Sequence, residues 1–341
     1  MNGNSTFRHD NVALLSITEV TAPIEVKSEV FDETLADTLA ELRLPKGLLQ
    51  RVAGVHARRN WEKPGDFATG SAEAGRAALA QAGISADQVG LMINASVSRE
   101  NLEPSVATRV HHEMGLGPQA MNFDITNACL GFVNAMTVAS TMIDSGQLDY
   151  AVVVAAEDAQ RVQRATVERL ARPGVTRHEY LNEFASLTLG CGAAAAVLGP
   201  ADRHPEGHRV LGGVTRGATW NHELCVGGFD GMFTDTKGLL DNGMELVTSA
   251  WHEALADGWD WQRMDRYIMH QISDVHMRSV ATAAELDPQR IPKTYPQLGN
   301  VGPASLPITL ALESEKLERG ERVLCVGVGS GLNTAMTEIV W

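Results

Sequence analysis

Cys129 stands in the stretch Asp124-Ile-Thr-Asn-Ala-Cys-Leu-Gly-Phe-Val-Asn-Ala-Met, with no formal charge between Asp124 and Asp144. The stretch reads as a short polar turn opening a helix that is apolar nearly all round, through Leu130, Phe132, Val133, Met136, Val138, Ala139, Met142 and Ile143. A helix of that kind is buried. A thiol at its start meets unpaired backbone N–H groups and the positive end of the helix dipole. Both favour a thiolate, which predicts a lowered pKa and a nucleophile. The same window also fits a cysteine that is no more than a small buried hydrophobe. His270, in Tyr267-Ile-Met-His-Gln-Ile-Ser, closes an apolar strand where a loop begins, and Asn300, in Gly299-Asn-Val-Gly-Pro-Ala-Ser, opens a helix. Taken singly, such a histidine fits a satisfied structural residue, and an Asn beside Gly fits a turn.

The elements that must hold these residues repeat in order. An Ala-rich helix over about 72–82 leads to the apolar strand 89–97, then to the Cys129 helix, then to the strand 149–156. In the second half a helix over about 239–256 precedes the strand at Tyr267, then the Asn300 helix, then the strand 322–329. Unbroken apolar strands alternating with helices imply central sheets covered on both faces. The repetition points to an internal duplication, with Cys129 and Asn300 at matching helix starts. The polar, turn-rich Gly199-Pro-Ala-Asp-Arg-His-Pro-Glu-Gly marks a boundary near residue 200. The expected halves are 1–199, carrying the cysteine, and 200–341, carrying the histidine and asparagine.

With 341 residues the chain can bury a substantial core. Its net charge of −14 argues against nucleic acid and against non-specific binding to anionic membrane. No apolar run is long enough to span a bilayer. The polar stretch Met1 to Asn11 lacks the layout of a secretory signal and is expected to be a frayed overhang. The four cysteines (129, 191, 225 and 325) are scattered, with neither a CxxC pair nor zinc-finger spacing. Free thiols, no structural metal and a cytoplasmic location follow as expectations. The basic segment Arg161 to Arg177 fits a solvated helix face, or else a face turned to a ligand or partner.

Six motifs in order carry a family resemblance: Asn127-Ala-Cys-Leu-Gly-Phe, Tyr150-Ala-Val-Val-Val, Leu189-Gly-Cys-Gly-Ala-Ala-Ala-Ala-Val, His270-Gln, Gly299-Asn and Gly327-Val-Gly-Ser-Gly-Leu. Over nearly its whole length the chain resembles the thiolase superfamily, in its ketoacyl synthase III branch. That resemblance implies an α/β duplicated fold, with two mixed sheets in a layered α-β-α-β-α arrangement. It also implies an acyltransferase whose catalytic residues are Cys129, His270 and Asn300, with an oxyanion site at the backbone N–H groups of Cys129 and Ser330.

Within that branch the chain is most similar to the OleA-like condensing enzymes of bacterial long-chain olefin biosynthesis. The residues that carry this likeness are Gly54-Val-His-Ala-Arg-Arg-Asn-Trp, Asn94-Ala-Ser-Val-Ser-Arg, Leu102-Glu-Pro-Ser, Gly213-Val-Thr-Arg and the C-terminal Glu-Ile-Val-Trp. A condensation that loses CO2 needs no strong base, whereas a non-decarboxylating Claisen condensation must remove an α-proton and so needs a positioned one. Ordinary ketoacyl synthase III enzymes carry an apolar side chain where this chain has Glu103. By the resemblance, Glu103 is that base, acting across a homodimer interface. The implied reaction joins two long-chain fatty acyl-CoA molecules through an acyl-Cys129 intermediate into a 2-alkyl-3-oxoacyl product, for olefin or β-lactone formation. Acyl-CoA is the substrate and no resident cofactor is implied. Arg51, Arg58 and Arg59 lie where the family's early arginine loop approaches the pantetheine entrance, and are candidates for holding CoA.

Alternatives remain at this point. One is a decarboxylating 3-oxoacyl-ACP synthase III, and another is a helper subunit of a heterodimeric condensing enzyme. Cys325 before its Gly-rich run resembles the second cysteine of degradative thiolases, although their Gly-His-Pro motif is missing. Thr126-Asn-Ala-Cys is also similar to hydroxymethylglutaryl-CoA synthase, a usually longer relative.

Overall fold

A computed structural model describes residues 6–341. The fourteen strands are β1 (Thr6–Arg8), β2 (Ala13–Thr21), β3 (Ile24–Lys27), β4 (Ala57–Asn60), β5 (Val89–Asn94), β6 (Met121–Asp124), β7 (Tyr150–Glu157), β8 (Gly192–Gly199), β9 (His208–Gly217), β10 (Cys225–Gly228), β11 (Gly231–Thr234), β12 (Arg266–Met269), β13 (Arg322–Gly329) and β14 (Asn333–Val340). Strands β3 and β4 form one separate two-stranded antiparallel sheet, and β10 and β11 form another, a hairpin. The rest follow one path, β12-β13-β14-β9-β2-β8-β7-β5-β6, with β1 on β9. The two expected mixed sheets are thus hydrogen-bonded into one ten-stranded path, because β2, paired with β8 along its length, also pairs briefly with β9 at Ala13↔Arg209 and Leu14↔His208. The expected overhang is also part ordered: Thr6, Phe7 and Arg8 pair with Val214, Gly213 and Gly212, while residues 1–5 lie outside the described residues.

Alternation along the strands builds the layers. On β7, Ala151, Val153 and Ala155 join one core, and Tyr150, Val152, Val154 and Ala156 join another. On β13, Val323 and Cys325 face the first core while Leu324 and Val326 face a third. The period of two along a strand puts neighbours on opposite faces. The first core lies between the two halves of the sheet and holds the helices Gly131–Asp144 and Ser305–Ser314. Helices Asp66–Ala82 and Val106–Met114 cover the outer face of the first half, and Thr236–Ala256 and Asp274–Ala283 that of the second. This is the α-β-α-β-α order. The central helix fits its sequence: Leu130, Phe132, Val133, Met136 and Ile143 are all buried, each contributing about 1.5–3 kcal/mol. Among the described residues no helix is long and apolar enough to cross a membrane.

Candidate active site

Cys129 sits in a turn just outside its helix, which starts at Gly131 with Leu130 at the cap. Ala128, before it, has φ 45°, a left-handed conformation that a non-glycine residue adopts only where its surroundings impose it. Those surroundings are specific. Leu130 N donates to Asn127 O (2.9 Å), Asn127 Nδ2 to Asn134 Oδ1 (2.8 Å) and Asn333 Nδ2 to Asn127 Oδ1 (3.4 Å). The end of β13 lies flat against this turn. A Cβ on Gly329 would stand 3.1 Å from Asn127 O and 3.3 Å from Leu130 N, so glycine there lets Ser330 follow beside the cysteine turn.

The lowered thiol pKa expected from a helix start is not what this site gives. Cys129 keeps some exposure, yet it is densely surrounded, and burial pushes its thiol up to about 12. Cys225 and Glu157 nearby add to the rise, and only its own backbone N–H opposes them. Desolvation outweighs the helix terminus because Cys129 precedes the cap rather than occupying it.

His270 follows β12, and its backbone N–H donates to Val326 O on β13 at 2.9 Å. That places it on the strand whose far end meets the Cys129 turn. Its side chain is buried, Nδ1 has no partner, and burial drives its pKa down to about 3, with nearby His276 adding to the drop. The ring is therefore neutral. Gln271 fixes the neighbouring loop: its Nε2 donates to Met269 O (2.9 Å), and its Oε1 accepts from Thr294 N (2.8 Å). Asn300 is held through its backbone, its N–H donating to Thr188 O and its carbonyl accepting from Gly190 N, both at 2.9 Å. Its Oδ1 accepts from Gly302 N at 3.0 Å, and its amide NH2 has no hydrogen-bond partner among the described residues. A Cβ on Gly302 would stand 3.2 Å from Glu157 Cγ, so the Asn300 turn abuts the end of β7.

Glu157 was not singled out from sequence. It is 8 % exposed and accepts from Val97 N (2.6 Å), Ser98 N (3.0 Å) and Ser98 Oγ (2.6 Å). Burial pushes its carboxyl up to about 7, against the pull of those three hydrogen bonds. The signal was available, since this is an acidic residue closing a run that is otherwise apolar from Tyr150 to Ala156. His276 and Cys225 were also passed over. His276 hydrogen-bonds Ser273 and is held neutral by burial, at about 4. Cys225 hydrogen-bonds Thr234 and the Ser330 side chain.

Glu103 lies elsewhere. It is exposed on the loop after β5, joined by a cis peptide to Pro104 and next to Leu102, which is 85 % exposed. Among the described residues it makes no hydrogen bond or ion pair, and nothing places it at its own chain's Cys129. Of the arginines, Arg58 faces inward instead of toward a ligand entrance: it is fully buried, 4.5 Å over the Phe31 ring, and donates to Ser28 Oγ at 2.6 Å. Arg59 is half-buried and paired with Glu25 at 3.3 Å. Arg51 is exposed, in a cleft whose other lining includes Glu29, Asp32 and Glu33, a poor setting for a polyanion. Cys325 is a core residue on β13, with its thiol pushed up to about 12 by burial. In the basic segment, Arg161 pairs with Asp230 and Arg169 with Glu183. All four cysteines are free, and among the described residues no cluster of three or more His, Cys, Asp or Glu side chains could hold a metal ion.

Comparison with known proteins places the chain in a family. The family "3-Oxoacyl-[acyl-carrier-protein (ACP)] synthase III C terminal" matches residues 255–341, and "3-Oxoacyl-[acyl-carrier-protein (ACP)] synthase III" matches residues 123–216. The chain is 40% identical over 334 residues to an acyl-CoA:acyl-CoA alkyltransferase of Xanthomonas campestris, covering 97% of this chain and 99% of that one. It is 31% identical over 350 residues to one of Shewanella oneidensis, covering 98% and 100%. A crystal structure of Xanthomonas campestris OleA, a cysteine-to-serine variant with bound lauric acid and lauroyl-CoA, superimposes with a TM-score of 0.95 at 40% identity, covering 98% of this chain and 100% of that one. Other solved forms of that protein carry substitutions at one histidine or one glutamate. The chain belongs to the OleA group of 3-oxoacyl-ACP synthase III-like condensing enzymes, acyltransferases of the thiolase superfamily.

Proposed function

We propose that the protein joins two long-chain fatty acyl-CoA molecules by a non-decarboxylative Claisen condensation, with Cys129, His270 and Asn300 of one subunit and Glu103 of the other. Cys129 attacks the first thioester; the acyl–sulfur bond forms, the acyl–CoA bond breaks, and the thiol proton leaves with CoA. The backbone N–H groups of Cys129 and Ser330 receive the oxyanion of that step. A neutral His270 ring and the free Asn300 amide then donate to the carbonyl oxygen of the second acyl-CoA. Glu103 takes its α-proton, and the carbon attacks acyl-Cys129. The carbon–carbon bond forms, the acyl–sulfur bond breaks, and the Cys129 thiolate parts from a 2-alkyl-3-oxoacyl-CoA, the proton held on Glu103 returning to the thiolate by way of solvent.

The observation that carries this reading is Glu103 itself: a carboxylate exposed on a loop, without a partner among the described residues of its own chain and beside the exposed Leu102. Spacing supports it. In the Xanthomonas campestris protein the substituted glutamate lies 26 residues before the substituted cysteine, as Glu103 lies 26 before Cys129, and the substituted histidine lies 142 after it, against 141 for His270. β6 ends the sheet with an unpaired edge and an exposed Met121 nearby, which fits a second copy of the chain.

The test is myristoyl-CoA alone, with products read by mass spectrometry. A coupled product without malonyl substrate, lost in Glu103→Gln while Cys129 still becomes acylated, is the expected result. Product only with a malonyl thioester, or equal loss of acylation and coupling in Glu103→Gln, would overturn it.

A further inference from the structure

The loop that carries Glu103 is fastened at both ends by buried or half-buried carboxylates. At its exit, Asp124 accepts from Val106 N (3.1 Å) and Ala107 N (2.9 Å), the first turn of the helix after Ser105. At its root, Glu157 accepts from Val97 N, Ser98 N and Ser98 Oγ, while Ser98 Oγ itself accepts from Asp158 N at 2.9 Å. Asp124 has an evident local task, capping a helix. Glu157 has none of that kind. It ends a strand buried along its whole length, and the hydrogen bonds of its carboxylate go to the loop, with van der Waals contact to the Gly302 turn. A buried carboxyl group is costly unless its hydrogen bonds are satisfied, so the loop root and Glu157 fix each other.

Resting on the proposed function above, we propose that Glu157 is a positioning residue for the partner's reaction, holding the root of the loop that delivers Glu103 across the interface. Its effect then belongs to the subunit that lends the loop, not to the subunit whose cysteine reacts. A carboxylate base must reach its proton within hydrogen-bond distance. A loop tip loosened at its root misses that position while leaving the thiol's own surroundings in place.

Heterodimers with one working site separate these roles. One chain carries Cys129→Ala and lends its Glu103; the other carries Glu103→Gln and supplies Cys129. Glu157→Gln in the loop-lending chain leaves one oxygen to accept and turns an NH2 donor toward the other backbone N–H. We expect coupling of myristoyl-CoA to fall at least about tenfold, with acylation of Cys129 changed by less than about threefold. Ser98→Ala removes the loop's side of the contact and leaves β7 intact; placed in the loop-lending chain it should lower coupling likewise, and placed in the cysteine-bearing chain it should change coupling by less than about threefold. Equal loss in either chain, loss confined to the cysteine-bearing chain, or no loss at all would overturn the proposal. If the parent heterodimer fails to couple while the unsubstituted enzyme does, the role of Glu103 across the interface falls as well.

Discussion

At the scale of single residues, the site stores neutral groups. Burial holds the Cys129 thiol at about 12 and the His270 ring at about 3, so neither is charged near neutral pH. A thiolate–imidazolium pair waiting for substrate would react quickly with any alkylating agent, whereas this thiol should not. Alkylation of Cys129 by iodoacetamide should be slow at pH 7 and rise continuously through pH 9, roughly tenfold per unit, because the thiolate fraction does so. A plateau between pH 6 and 7, followed by intact mass, would mean that the pair ionises. The low basicity of His270 also suits an N–H donor to a carbonyl oxygen, since a neutral ring is not consumed by protonation at working pH. Arg58 shows the same physics in reverse. Its guanidinium is pulled down to about 10 by burial and is committed to Ser28 and the Phe31 face rather than to a ligand.

At the scale of elements, close backbone approaches decide where the side chains stand. Asn300 is placed by a two-way backbone exchange with the segment before β8, and Gly190 lies in the middle of it. A Cβ there would collide with the Leu298 carbonyl oxygen. Gly190→Ala should therefore push the Asn300 turn away from the site. We expect a destabilisation of about 1–3 kcal/mol and coupling reduced more than about tenfold, while Cys129 remains open to acylation. Measuring acyl-enzyme by mass alongside product would show whether the two separate. The central helix Gly131–Asp144 is legible in sequence from its apolar residues alone, and β7 from its unbroken run. The hairpin β10–β11, with Cys225 beside Ser330, is not, since its short glycine-rich strands have no periodicity to read.

At the scale of the whole molecule, pH and association are the levers. His270 and His276 stay neutral in the fold at about 3 and about 4, below their ordinary 6.5. As pH falls from 6.5 toward 4, the unfolded chain therefore takes up protons that the folded one refuses, and stability drops by about 1.4 kcal/mol per unit for each histidine. Glu157 has the opposite sign. Raised from 4.5 to about 7, it favours the fold at low pH and loses that contribution as pH rises through this window. The two histidines outweigh it, so stability should rise from pH 4.5 to 6.5, and His270→Asn should flatten that rise by about 1.4 kcal/mol per unit in urea titrations. A rise equally steep in the variant would remove His270 as a cause. For association, Leu102→Asp puts a charge into the proposed interface and should weaken the dimer more than about tenfold in sedimentation, taking coupling with it. An unchanged dimer would put the interface elsewhere.

The alternation of strands and helices, the acidic balance, and the motifs around Cys129, His270 and Asn300 are legible from residues alone, because each is a local pattern of residue types. So is the glutamate at position 103. How far burial shifts the thiol and the imidazole depends on packing against distant segments, among them those of Glu157 and Cys225, which raise the thiol further. Packing likewise decided that Arg58 turns inward, that ten strands form one path, and that Glu157 fastens a loop sixty residues before it in the chain. Burial and long-range hydrogen bonding are properties of the packed chain, and no window of residues contains them.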